Sequence, residues 1–208
     1  MQIFNSGKTD YASLAMLLKD GQIFCYPTET LYGLGCTVDN ELGLERIYKI
    51  KSREKEKKFS ILFKDLEMIR EFCEIGKIEE DLIMNFTPGP LSILLRTRNE
   101  NLANKLLIGL NGKISCRVSS HPFVAGLFKS LNIPIVSTSA NISGSKNIFS
   151  FKTIYNTFHN LVDIIVDGGD INESMGSTII EMDKNDMKLI REGDIKEKEI
   201  TVFLNGRN

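Results

Sequence analysis

Short apolar runs, each cut off by proline, glycine or a cluster of small hydroxyl residues, alternate along this chain with stretches of helical period. A chain so punctuated has few options. Strands and helices in alternation pack as an α/β layer structure, here with a mixed sheet. Tyr11–Lys19 puts Leu14, Ala15, Leu17 and Leu18 at helical spacing and closes at Gly21, and Gln22–Tyr26 reads as a strand stopped by Pro27. Asn40 opens a helix with Leu44, Ile47, Tyr48 and, on spacing, Lys51 along one face. Asp65 caps a helix to about Cys73, and Ile78–Phe86 forms another. Pro122 suits a first helical position, which makes His121 or Ser120 the N-cap of a helix running to about Leu131. Phe151–Phe158 is also helical. Further strands are expected at Phe59–Phe63, Leu91–Arg96, Ile114–Val118, Ile133–Ser137, Val162–Val166, Ser177–Met182 and Met187–Arg191. No linker or repeat divides the chain, so residues 1–208 read as one domain with a charged tail, expected to be mobile, from about 196.

Composition sharpens the exclusions. With 42% hydrophobic and 25% charged residues, the chain can build a core and is not disordered. Its apolar runs fall far short of the roughly 20 residues that span a bilayer, and Met1–Asp10 has no apolar leader, so the expectation is a cytoplasmic protein with no membrane partner. Cys25, Cys36, Cys73 and Cys116 form no C-x-x-C pair, and His121 and His159 are the only histidines. Reduced, buried thiols follow, and a transition-metal site is disfavoured.

Three segments concentrate polar chemistry at element ends. Pro27-Thr28-Glu29-Thr30-Leu31-Tyr32-Gly33-Leu34-Gly35 follows a strand directly and offers hydroxyls beside glycines that allow close backbone approach. It also reads as a plain turn with capping threonines. Lys49–Lys58 holds six basic and two acidic residues, a local +4 inside a chain of net charge −1. The segment would attract a polyanion. Lys51 and Arg53, two apart at a helix end, are read as pointing at one phosphate, or else as part of a solvated helix terminus. Ser137-Thr138-Ser139-Ala140-Asn141-Ile142-Ser143-Gly144 follows a buried strand, where open α/β sheets bind ligands, although capping hydroxyls in a turn would look the same. None of the three supplies a nucleophile paired with a base. Together they suit a reaction run by positioning and charge stabilisation, such as nucleotidyl transfer.

Over nearly its whole length the chain resembles the YrdC/TsaC family of threonylcarbamoyl-adenylate synthases. The resemblance rests on Pro27-Thr28-Glu29-Thr30-Leu31-Tyr32-Gly33-Leu34, on the Lys-x-Arg of Lys51-Ser52-Arg53, on Thr87-Pro88-Gly89-Pro90-Leu91 and on the Ser-x-Asn of Ser139-Ala140-Asn141. Supporting matches are Arg117 with His121-Pro122, Asp167-Gly168-Gly169, Ser177-Thr178-Ile179 and Arg191-Glu192-Gly193. It implies a single YrdC-like domain, a twisted mixed sheet with flanking helices and a concave, positively charged cavity. It implies an enzyme, a nucleotidyltransferase that condenses L-threonine, bicarbonate and ATP, with Mg2+, to threonylcarbamoyl-AMP and pyrophosphate. The product serves N6-threonylcarbamoyladenosine formation in tRNA through a threonylcarbamoyl-transferase complex of the TsaD/TsaB/TsaE type, with weak tRNA binding by the chain itself.

The resemblance also assigns residues. Lys51 and Arg53 are catalytic and meet ATP, with Lys57, Lys113, Ser139, Asn141, Asn147 and Arg191 also on the nucleotide. Thr28, Thr30, Tyr32, Arg117, Ser137 and Ser177 hold threonine, Arg117 through its carboxylate. Mg2+ enters chiefly on the ATP phosphates. Two positions depart from the pattern: Glu54 stands where many relatives have proline, and Leu62 or Phe63 falls where some carry a histidine. An RNA- or tRNA-binding module of the same fold, a paralogue of unassigned activity and the carbamoyl-adenylate domain of hydrogenase maturation proteins are the rival readings.

Overall fold

The computed structural model describes residues 1–98, 105–109 and 111–207. Its described elements run in the order β1 (Gln2–Asn5), α1 (Tyr11–Lys19), β2 (Phe24–Tyr26), β3 (Gly33–Gly35), α2 (Glu41–Lys51), β4 (Ser60–Leu62), α3 (Leu66–Phe72), α4 (Lys77–Phe86), β5 (Leu91–Arg96), β6 (Lys113–Arg117), α5 (Pro122–Leu127), β7 (Ile135–Ser139), α6 (Phe151–Phe158), β8 (Ile164–Asp167), β9 (Thr178–Asp183), β10 (Asp186–Arg191) and α7 (Glu197–Asn205). The strands form one mixed sheet in the order β1-β8-β2-β3-β7-β4-β6-β5-β9-β10. The β1–β8, β2–β8, β4–β6 and β5–β9 pairs are parallel and the rest antiparallel. The expected α/β class with a mixed sheet and flanking helices is therefore the observed one.

Helix starts follow local chemistry. Asp10, Asn40, Asp65 and His121 each accept a hydrogen bond from a backbone N–H of the first turn, which satisfies donors the helix leaves open. Leu14, Leu18, Leu44, Ile47, Leu82, Ile154 and Phe158 turn inward from four helices onto buried strands such as Phe24–Tyr26 and Ile164–Val166. All four cysteines are free and buried, as expected.

Other boundaries differ. Helix α5 ends at Leu127, short of the expected Leu131, and passes into turns. Strand β7 begins at Ile135 and carries Ser137, Thr138 and Ser139 within it, so those hydroxyls project from the sheet and not from a loop beyond it. Strand β1 was not foreseen, nor was β3. Gly-Leu-Gly has poor strand propensity, but β3 is held between β2 and β7. A Cβ on Gly35 would lie 2.3 Å from the Val136 carbonyl oxygen, so this strand exists only because it lacks side chains there. The tail expected to be mobile is helix α7: Ile200 is fully buried and Phe203 packs edge-on against Phe86 at 5.4 Å.

Register assembles the cavity floor. Ser137 on β7 lies opposite Ser60 on β4, which lies opposite Ser115 on β6. One step along, Leu62 lies opposite Arg117 and Ile179 opposite Arg191. Side chains two apart on a strand share a face. Residues scattered from 60 to 191 thus line one surface.

Candidate functional site

The cavity is walled by the Pro27–Gly35 segment, by β4, β6 and β7, and by the Gly176–Arg191 region. Its cations are Arg53, Lys58, Arg117 and Arg191, and none of its lining residues is a carboxylate.

Thr28 organises the first wall. Its hydroxyl donates to the Leu31 carbonyl at 2.6 Å and accepts from the Thr30 and Leu31 amides at 3.3 and 3.1 Å. That hydroxyl closes the turn, and Thr28 also lines the cavity. Thr30 Oγ1 accepts from Arg117 Nη2 at 3.2 Å. Tyr32 lines the cavity, and its hydroxyl donates to the Gly169 carbonyl at 2.7 Å and accepts from the Gly168 amide at 2.9 Å.

Lys51 departs most from expectation. It ends the buried face of α2, is 1% exposed and does not line the cavity. Its ammonium donates to the Ser139 carbonyl at 2.5 Å, the Asn141 carbonyl at 2.8 Å and Asn141 Oδ1 at 3.1 Å. Burial first, and then the charge of Arg53, push its pKa down to about 8. The reason for the divergence is Ser52, which caps α2 in the left-handed conformation (φ 48°) and sends Arg53 the other way. Arg53 lies over the Phe59 ring at 5.3 Å and donates to the Lys57 and Lys58 carbonyls at 2.8 and 3.2 Å. Those contacts fix the guanidinium against the cavity wall.

Four other expected nucleotide contacts also lie elsewhere. Lys57 is exposed and paired with Glu54 at 3.0 Å; its neighbour Lys58 lines the cavity instead. Lys113 donates to Glu181 at 2.7 Å, outside the cavity wall. Asn141 accepts from Lys51 and from Ser139 Oγ (2.7 Å) and donates to the Ser145 carbonyl at 2.9 Å, which makes it the core of the turn. Asn147 donates to the Ser174 carbonyl at 3.3 Å. Of the expected residues, Thr28, Thr30, Tyr32, Arg53, Arg117, Ser137, Ser139, Ser177 and Arg191 do line the cavity.

On the opposite wall Arg191 donates through Nε and Nη2 to the Ser177 carbonyl at 3.0 and 2.6 Å and through Nη2 to Ser177 Oγ at 3.0 Å. Ser92 also donates to Ser177 Oγ, at 3.1 Å. Burial lowers the pKa of Arg191, and the charges of Arg117 and Arg53 lower it further. Three guanidiniums therefore repel one another across the site, and an anion between them would relieve that repulsion.

Residue reasoning also missed Ser60, Ile179 and Glu29. Ser60 and Ile179 line the cavity, and Leu62 does so where some relatives were expected to carry histidine. Strand alternation placed Ser60 and Leu62 on one face, but only the pairing with β7 and β6 shows which face it is. Glu29 stands inside the Pro-Thr segment, and its Oε1 lies 2.6 Å from Arg117 Nη2. The described residues contain no group of three His, Cys, Asp or Glu side chains arranged to hold a metal ion, so these donors do not form a protein-built metal cage. No described helix is long and apolar enough to cross a membrane.

Comparison with known proteins identifies the fold and the family. The Sua5/YciO/YrdC family model, described as telomere recombination, matches residues 16–193. A threonylcarbamoyl-AMP synthase of Vibrio vulnificus is 29% identical over 179 residues, covering 85% of this chain and 94% of that relative. One of Bacillus subtilis is 26% identical over 194 residues, 93% of this chain but only 56% of its own length. The solved structure of P. abyssi Sua5 complexed with L-threonine superposes with a TM-score of 0.88 at 27% identity, covering 97% of this chain and 60% of that one.

Proposed function

The chain belongs to the Sua5/YciO/YrdC family, and from that premise we propose that it is a threonylcarbamoyl-AMP synthase acting on L-threonine, bicarbonate and ATP. The observation that carries this reading is the convergence of Arg53, Arg117 and Arg191 with Thr30, Ser137, Ser139 and Ser177 on one cavity without a lining carboxylate. Such a site suits a carboxylate and a triphosphate together.

In this reading Arg117 takes the α-carboxylate of threonine, with Thr30, Ser137 and Ser177 around the amino acid. Bicarbonate takes up a proton and gives up water to supply CO2; the threonine amine bonds to the CO2 carbon and releases its proton to solvent. An oxygen of the resulting carbamate attacks the α-phosphorus of ATP, and the bond to pyrophosphate breaks. Arg53, Lys58 and Arg191 offset the charge that develops on the phosphoryl oxygens and the leaving group. Ser139 contacts the nucleotide through its hydroxyl. Lys51 and Asn141 act at one remove, by holding the Ser-x-Asn turn in shape. Mg2+ would enter on the ATP phosphates, keeping most of its ligands as phosphate and water, and would supply further neutralisation there. The product would pass to a threonylcarbamoyl-transferase complex of the TsaD/TsaB/TsaE type for tRNA modification. The whole chain is proposed to work as one domain.

The test is to incubate the full chain with ATP, Mg2+, bicarbonate and each L-amino acid in turn, and to follow pyrophosphate. Release that depends on both threonine and bicarbonate is expected; threonine performing no better than serine would overturn the reading. Arg53→Ala should fold and lose about a hundredfold or more in kcat/KM, measured in the same assay. If the exposed lysines of the basic segment serve tRNA binding, affinity should fall steeply with salt.

A further inference from the structure

Arg117 is 6% exposed, and among the described residues only its Nη2 has partners, Thr30 Oγ1 at 3.2 Å and Glu29 Oε1 at 2.6 Å. Its Nε and Glu29 Oε1 are both buried with no hydrogen-bond partner, so the contact between Glu29 and Arg117 is a close ion pair and not an aligned hydrogen bond. A guanidinium is built to bind a carboxylate with two parallel N–H groups, and this one spends a single nitrogen on the protein. Glu29 is also held from behind: its Oε2 accepts from the Ser119 hydroxyl, and Ser119 Oγ in turn accepts from the His121 amide at 3.2 Å. Burial opposes ionisation of Glu29, but Arg117 and the Ser119 hydroxyl more than offset it and keep the carboxyl below its usual range.

We propose that Glu29 is a positioning residue: fixed by Ser119, its carboxylate holds one nitrogen of Arg117 so that the rest of the guanidinium is presented to the α-carboxylate of the amino-acid substrate. The proposal rests on the function proposed above and deepens it. Glu29 touches no cavity surface and has no step in the chemistry. It neutralises a buried guanidinium and fixes its direction. Ser119 and the start of α5 thereby become part of the amino-acid subsite, although neither lines it.

The experiment is calorimetric titration of the full chain with L-threonine, with L-threoninamide, which lacks the carboxylate, and with ATP. For Glu29→Gln the dissociation constant for threonine should rise about tenfold or more. The preference for threonine over threoninamide should shrink, and ATP affinity should stay within about twofold. Glu29→Asp should recover part of the loss. Ser119→Ala, which leaves the ion pair in place, should show the same pattern more weakly and serves if Glu29→Gln fails to fold. Threonine affinity and carboxylate preference unchanged in these variants would overturn the inference alone. So would equal weakening of threonine and ATP, because that marks general loosening. A wild-type chain that binds no L-amino acid would overturn both the inference and the function it rests on.

Discussion

At the end of α2 the backbone turns left-handed at Ser52 (φ 48°), and the side chains on either side of that turn diverge. Lys51 goes inward to the carbonyls of Ser139 and Asn141, and the Ser143 amide returns a hydrogen bond to the Lys51 carbonyl at 3.0 Å. The lysine is a clamp between a helix end and a turn. Lys51→Met should therefore reduce both stability and ATP affinity, because it leaves two buried carbonyls unpaired at about 1–3 kcal/mol each; urea denaturation and ATP titration measure the two effects. The clamp also has a pH signature. The pKa of Lys51 falls from its ordinary 10.5 to about 8 in the fold, chiefly through burial. The unfolded chain then binds more protons than the folded one between about pH 8 and 10.5, so the contribution of this group to stability is unfavourable below pH 8 and improves as pH rises through that window. NMR titration of the Lys51 ammonium in the full chain should find its midpoint near 8.

Among the elements, β3 and α7 show how packing overrides local preference. Strand β3 passes so close to β7 that Gly35→Ala places a methyl group on the Val136 carbonyl. Backbone cannot move aside as a side-chain tip can, so a loss of about 1–3 kcal/mol is expected in a denaturation curve, with weaker threonine binding, because Gly33 and Thr30 shift with the strand. Helix α7 is stabilised differently. Ile200 is fully buried, Phe203 meets Phe86, and Arg207 pairs with Asp81 on α4. Ile200→Ala should cost about 2–5 kcal/mol and leave the KM for ATP and threonine unchanged, because α7 contributes nothing to the cavity wall. The charged residues of this segment hid it. Its apolar positions are few, and they become a helical stripe only when α4 stands opposite.

For the molecule as a whole, the cavity draws on β3, β4, β6, β7, β9 and β10 and on the residues just before β9, so a ligand there ties together strands from across the sheet. ATP and threonine together should raise the thermal midpoint of the whole chain in one cooperative transition. Each ligand at a hundred times its dissociation constant adds about 2.7 kcal/mol, and calorimetry of the bound and free chain would show it. The near-zero net charge of −1 conceals this site. The basic segment supplies only Arg53 and Lys58 to the cavity, and Arg117 and Arg191 come from strands far along the chain.

Legible in the chain were the alternation of elements, the helix starts at Asn40, at Asp65 and at His121 or Ser120, the buried face of α2 and the motifs that mark the family, whereas the Asp10 cap was not. These depend on short-range periods and on side chains bonding to backbone within a turn. Which members of those motifs face the cavity is set by the fold. Lys51, Lys57, Lys113, Asn141 and Asn147 sit in motif or neighbouring positions but point at protein partners, whereas Lys58, Ser60 and Leu62 reach the cavity. Direction depends on a left-handed residue at a helix cap, on register across non-sequential strands and on a carboxylate such as Glu29 arriving beside Arg117 from 88 positions earlier in the chain. Such long-range geometry is set by what packs against what, and it leaves no local period in the sequence.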